Sequence, residues 1–172
     1  MTDSHHFFWS GPFSQWQSCA IRLDGHDFNC AEQAMMHAKA LLFGDAETAA
    51  AILAATEPGR QKALGRQVRG FDDAAWDEAK TAIVTRITLE KFRQNKGLRR
   101  KLFQTAPLPM VEASPLDTVW GIGLGADHAR RTPPAEWPGQ NLLGRILTGA
   151  RATLAAEYPE EFAQIATSEP ED

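Results

Sequence analysis

The sequence predicts a mainly α single domain with a small β component, on three observations. Most of the chain is rich in Ala, Leu, Met, Glu and Lys, with apolar residues recurring at helical period. Asp, Asn, Gly and Pro stand where those stretches start and stop. Extended or hairpin signals are confined to Cys19–Phe28 and Leu108–Ala113. A chain of 172 residues is of single-domain size and buries roughly two thirds of its surface without needing a covalent staple. The expectation is one domain over residues 1–172, with its core at about 7–158 and loose ends at 1–6 and 165–172.

The elements follow in order. His5 to Trp16 is aromatic and Gly/Ser-rich, too irregular for a helix or a regular strand. Cys19 to Phe28 alternates weakly around Asp24-Gly25, which predicts two short strands and a hairpin turn. Cys30 to Phe43 reads as a helix stopped by Gly44, and Asp45 to Thr56 as a second, Ala-rich one. A third starts at Glu57-Pro58, with proline tolerated in the first turn, and runs to about Val68. Asp72 or Asp73 caps a long fourth helix to about Gln94, whose apolar face carries Trp76, Ala79, Ile83, Ile87 and Phe92. Asn95-Lys96-Gly97 breaks it, and a short helix covers Leu98 to Gln104. Leu108 to Ala113 is extended beside Pro107 and Pro109. Ser114 to Arg131 contains the irregular stretch Asp117 to Gly125, Arg130 to Pro138 is a loop, Asn141 to Tyr158 the last helix, and Thr167 to Asp172 an acidic tail.

Composition narrows the function. A net charge of −4 and a pI near 5.7 argue against a protein that coats nucleic acid, while leaving room for a local basic pocket. Two cysteines make neither a disulfide scaffold nor a metal site, and the scattered histidines give no zinc spacing. No apolar segment has the length of a signal h-region or of the ~18 residues that span a membrane, so a cytoplasmic protein is expected. Hydrolase, nucleotide-phosphate and dinucleotide motifs are absent from the sequence. No metal, organic cofactor or membrane partner is implied.

The residues with chemical promise form a few groups. Glu32 and Lys39 fall about 20° apart around their helix and ~10 Å apart along it, too far for an ion pair but suited to the two sides of a cleft. Glu32 equally fits a capping-box glutamate reaching back to the Asn29 N–H, and Lys39 a solvated lysine. Asp117 with Trp120-Gly121-Ile122-Gly123 fits a ligand loop: glycines for close backbone approach, a ring for stacking and a carboxylate for a ribose hydroxyl. It equally fits a tight turn with a core Trp. Ser14-Gln15-Trp16 lies in a segment of the kind that carries binding groups, although core plugs are the commoner use of such rings. Among Arg60, Lys62, Arg66 and Arg69, Arg66 is the chosen phosphate candidate.

Taken in order, these pieces resemble one family. They are Ser14-Gln15-Trp16, Ala31-Glu32-Gln33 leading to Ala38-Lys39, Leu64-Gly65-Arg66, Lys91-Phe92, and Val111-Glu112-Ala113-Ser114. Asp117 with Trp120-Gly121-Ile122-Gly123 and Gly139-Gln140-Asn141-Leu142-Leu143-Gly144 complete the set. Their order and spacing over roughly residues 7–155 resemble the NADAR, or YbiA-like, N-glycosidases. The resemblance implies a YbiA-like single domain and cleavage of an N-glycosidic bond. Implied substrates are ribosylamino-pyrimidine phosphates, early riboflavin intermediates, or ADP-ribosylated guanine, with nucleic acid only as a modified substrate. A non-catalytic nucleotide sensor is the alternative of another class.

By motif, the resemblance points to Glu32, Lys39 and Asp117 as catalytic. It assigns Ser14, Gln15, Trp16, Arg66, Trp120, Gly121 and Asn141 to substrate binding. Two departures stand out: the family often has Ser-Asn-Phe where this chain has Ser14-Gln15-Trp16, and His where Gln33 stands. Two routes fit the bond. Glu32 or Asp117 activates water against an oxocarbenium-like sugar, or Lys39 forms a Schiff base with the opened sugar. The expectation is the second route, with Glu32 moving protons and Asp117 holding a ribose hydroxyl.

Overall fold

The computed structural model describes residues 3–167. In chain order, β1 spans His6–Phe8, β2 Ile21–Leu23 and β3 His26–Phe28. The helices α1 (Ala31–Leu42), α2 (Ala46–Ala54), α3 (Pro58–Gly65), α4 (Asp73–Gln94) and α5 (Lys96–Gln104) follow. After β4 (Met110–Glu112) come α6 (Ala126–Ala129), α7 (Leu142–Glu157) and α8 (Pro159–Thr167). The architecture is mainly α with small β pairings, as the sequence predicts. Two compact units result, one of residues 15–95 and one of residues 3–14 with 96–167.

In the 15–95 unit, β2 and β3 pair antiparallel with Ile21 opposite Phe28. Asp24 (φ 51°) and Gly25 (φ 80°) turn the hairpin, matching the double positive φ that lets strands twist correctly. α1 packs against α2, α3, α4 and β3, and residues 31–37 are all buried. Its N-cap, Cys30, gives no side-chain cap. Two other groups serve the first turn: the Gln15 carbonyl accepts the Glu32 N–H (2.9 Å), and the Gln33 Oε1 accepts the Asn29 N–H (2.8 Å). Gln33 Nε2 donates to the carbonyls of Ile52, Leu53 and Ala55, so one side chain also closes the end of α2. Asp45 and Asp72 cap α2 and α4 by accepting the N–H of Thr48 and Ala75.

In the other unit, β1 runs parallel to β4, with Phe7 opposite Val111. α7 packs on β4, and α5 packs on α8 and on the 3-10 turn Gly11–Phe13. Val111, Ile122 and Ala129 form a buried cluster with Phe7, Leu124 and Trp137 against it.

Apart from shifts at helix ends, such as α3 stopping at Gly65 rather than near Val68, the boundaries differ from expectation in four places. The His5–Trp16 segment, read as free of strand, supplies β1 from His6, because a three-residue strand takes its order from a partner distant in sequence. The break after α4 is Asn95 alone: its side-chain amide donates to the Lys91 carbonyl, and α5 starts at once at Lys96. α6 adds a turn of helix directly after the irregular stretch Asp117 to Gly125, where no element is predicted. α8 extends the chain's order beyond Tyr158, held by Arg99 to Glu161 (2.9 Å) and by Phe162 edge-on to Phe103. Residues 1–2 and the end of the acidic tail, 168–172, lie outside the described residues. No helix among the described residues is long and apolar enough to cross a membrane.

Candidate active site

The α1 face bearing Glu32, Met36 and Lys39 is the first group to place. Glu32 is buried, with 5% of its surface exposed. The back-reach to the Asn29 N–H, which Glu32 would make as a capping-box residue, is made by Gln33. Met36, between Glu32 and Lys39 on this face, meets α3: a Cβ on Gly65 would lie 2.0 Å from the Met36 Sδ. Glycine there lets α3 come close to α1.

Lys39 is half-buried. Its Nζ lies 4.5 Å from the Phe71 ring centroid and 5.8 Å from that of Trp76. Burial lowers its pKa below the ordinary lysine value, and Arg66 at the end of α3 pushes the same way, against the pull of Glu32 and Asp73. These four charged groups belong to one electrostatic neighbourhood. It gathers Glu32 and Lys39, which the sequence reading took as a pair, with Arg66, which it selected separately.

Gln15 joins them through its backbone: its carbonyl holds the Glu32 N–H. The Gln15 Nε2 is buried and makes no hydrogen bond within the described residues. An unmet buried donor costs about 1–3 kcal/mol, so this one is held there by the rest of the packing. Trp16 is 48% exposed, with its Cη2 3.8 Å from where a Gly59 Cβ would sit, so its ring lies beside the first turn of α3. Ser14 falls in the other unit, ending the 3-10 turn with its N–H on the Gly11 carbonyl.

The Asp117 group is a tightly bonded loop of that other unit. Asp117 Oδ1 accepts the N–H groups of Val119 and Trp120, both at 2.8 Å, and its carbonyl accepts that of Gly123. Carbonyls of the loop then receive the chain that leads into α7: Ile122 takes Gly139 N–H, Thr118 takes Gln140, Gly121 takes Asn141, Val119 takes Leu142 and Trp120 takes Leu143. Trp120 is half-buried. Gly121 is buried, and a Cβ there would lie 2.9 Å from the Glu112 carbonyl oxygen; on Gly139 it would lie 2.3 Å from that of Gly121. The glycines thus admit neighbouring backbone. Asn141, at φ 53°, uses its side chain on β4, accepting the Glu112 N–H and donating to the Met110 carbonyl.

Sequence reasoning missed Phe71 and placed Trp76 only on an apolar helix face. The signal was there in Phe71-Asp72 followed by Trp76, the spacing of a hydrophobe before an N-cap and one at the fourth helical position.

A family model described as the NADAR domain matches residues 6–155. An N-glycosidase of Acanthamoeba polyphaga mimivirus is 44% identical over 144 residues, which are 81% of this chain and 85% of that protein. A riboflavin biosynthesis protein of Vibrio vulnificus is 26% identical over 166 residues, 96% of this chain and 40% of that protein. In three dimensions the chain is similar to the NMR structure of the E. coli protein YbiA. The TM-score is 0.75 at 27% identity, over 93% of this chain and 90% of that one.

Proposed function

The chain belongs to the NADAR family, and on that premise we propose that it is an N-glycosidase, hydrolysing the bond between C1′ of a ribose and an amino group of a base or pyrimidine. The mimivirus relative, named an N-glycosidase, supports the reaction class. The Vibrio relative, named for riboflavin biosynthesis, supports a ribosylamino-pyrimidine phosphate as substrate, although this chain spans only 40% of it. The observation that carries the reading is the half-buried Lys39 amine, with its lowered pKa, on the helix face of a buried Glu32.

A ribosylamine opens its sugar ring to an imine at C1′. The neutral Lys39 amine adds to that carbon. The bond from C1′ to the base nitrogen breaks, and the base leaves as its free amine with a proton delivered by Glu32. Lys39 is then joined to C1′ as an iminium. Water adds, the C1′–Nζ bond breaks, and the sugar leaves as its aldehyde while the proton returns to Glu32. One water is consumed and no oxidant or cofactor enters. Burial helps because attack needs an unprotonated amine. Arg66 is assigned to the phosphate, and Trp16, with half its surface open, to the base as a stacking face. Asp117, in the other unit, has its Oδ1 committed to the backbone of its own loop.

The test is to incubate the protein separately with the ribosylamino-pyrimidine phosphate and with ADP-ribosylated guanosine, with and without borohydride. The expected result is base release from the first and a reduced sugar adduct on Lys39. Lys39→Ala should abolish the adduct, and Glu32→Gln should lower kcat about 10²–10⁴-fold. Base release from the guanosine alone moves the substrate to ADP-ribose. An active Lys39→Ala variant with no adduct in the native protein removes the Schiff base.

A further inference from the structure

Two rings against the Lys39 amine neither make nor break a bond in the proposed reaction. Phe71 directly precedes Asp72, the N-cap of α4, and Trp76 is the fourth residue of that helix. A pair of hydrophobes at those positions ordinarily fixes the angle at which the chain joins a helix. Here both rings also lie against a cationic nitrogen, at 4.5 Å and 5.8 Å from their centroids. Phe71 stays 41% exposed, steadied edge-on by Phe43 at 5.3 Å and 68°. A ring kept for packing alone has no need to stand half in solvent over an amine. The charged groups acting on that amine are Glu32 of α1, Arg66 at the end of α3 and Asp73 in the first turn of α4.

We propose that Phe71 and Trp76 are positioning residues for Lys39: their faces form an aromatic cradle that stabilises positive charge on its nitrogen, in the ammonium and in the iminium to C1′. The proposal rests on the Schiff-base reading. That route asks two opposed things of one nitrogen. It must be neutral to attack C1′, and it becomes cationic once the base has left. Exclusion of water favours the neutral amine, whereas the negative face of a ring favours the cation. An aromatic wall does both; an aliphatic wall of similar bulk does only the first.

Phe71→Leu, Phe71→Ala and Phe71→Tyr separate these effects. Lys39 is titrated by NMR after ¹³C reductive methylation, which reads the amine without any turnover. Covalent capture is followed separately, with ribose 5-phosphate and cyanoborohydride, since the sugar aldehyde and the amine condense to the same iminium with loss of water. Phe71→Leu should lower the Lys39 pKa below the native one and slow capture about threefold to tenfold. Phe71→Ala should raise the pKa toward that of an ordinary lysine as water reaches the amine. Phe71→Tyr should behave as the native chain. A Phe71→Leu protein that titrates and captures like the native one overturns the cradle. If the native protein yields no adduct at Lys39, the iminium half of the proposal falls with the Schiff base, and the titrations still decide the ammonium half.

Discussion

Lys91 lies on α4 with 1% of its surface exposed and its amine 5.2 Å from the Phe92 ring centroid. Burial brings its pKa down to about 8, against the pull of the Cys19 and Cys30 thiols. In the unfolded chain the same amine titrates near 10.4. Between those values the unfolded state binds more protons, so stability rises with pH; below about 8 both states are charged and the folded one bears the full cost. Urea denaturation of native and Lys91→Met proteins at pH 7 and pH 10 should show their difference moving in favour of the native chain by roughly 2–3 kcal/mol. Equal shifts in both would place the charge elsewhere. In the sequence Lys91 was legible only as part of a motif, because one lysine in a charged helix says nothing of its depth. Gln33 shows the same limit from the other side. Legible in the sequence only as a departure from the family's His, it turns out to be the capping side chain of α1, a role the sequence offered to Glu32. Cap assignment is uncertain by a residue in a sequence, and here that residue separates the structural group from the chemical one.

Helices were the most legible elements, since caps such as Asp45 and Asp72 and stops such as Gly44 act locally. β1 and α8 were not. β1 gains its order from β4, and α8 begins at Tyr158-Pro159, which reads as a stop although proline suits the first position of a helix. The Gly65 contact belongs to this scale. Gly65→Ala sets a methyl against a flexible thioether and should be mild, whereas Gly65→Val should cost about 1–3 kcal/mol in thermal unfolding and lower kcat by shifting Met36 between Glu32 and Lys39. A Gly65→Val protein with native Tm and kcat would show that α1 and α3 adjust freely. Asn141 couples α7 to β4 in another way. Asn141→Ala loses both backbone bonds and sets alanine at φ 53°, so it should destabilise by about 2–3 kcal/mol. Asn141→Gly, relieved of the φ penalty, should lose less; equal losses would assign the whole effect to the hydrogen bonds.

At the scale of the whole molecule, the charge of −4 separates substrates by their size. A small phosphorylated ribosylamine meets few side chains, so its kcat/KM should fall only slightly between 50 and 200 mM salt. A modified nucleic acid gripped along its backbone would lose orders of magnitude over that range. A steep decline would shift the substrate to the polymer. The glycines around Asp117 show how far the sequence could be read at this scale. Their presence marked a close approach, but not what approaches, because a ligand and a second stretch of backbone ask the same thing of a residue without a Cβ. The outcome bears on how a phosphorylated substrate can be held. The start of a long helix is ordinarily an open socket for an anion, with free N–H groups and a positive dipole end. In α7 the N–H groups of Leu142 and Leu143 are already plugged by the carbonyls of Val119 and Trp120. That terminus offers a phosphate little to grasp, so its grip falls to side-chain cations, which can be removed one guanidinium at a time.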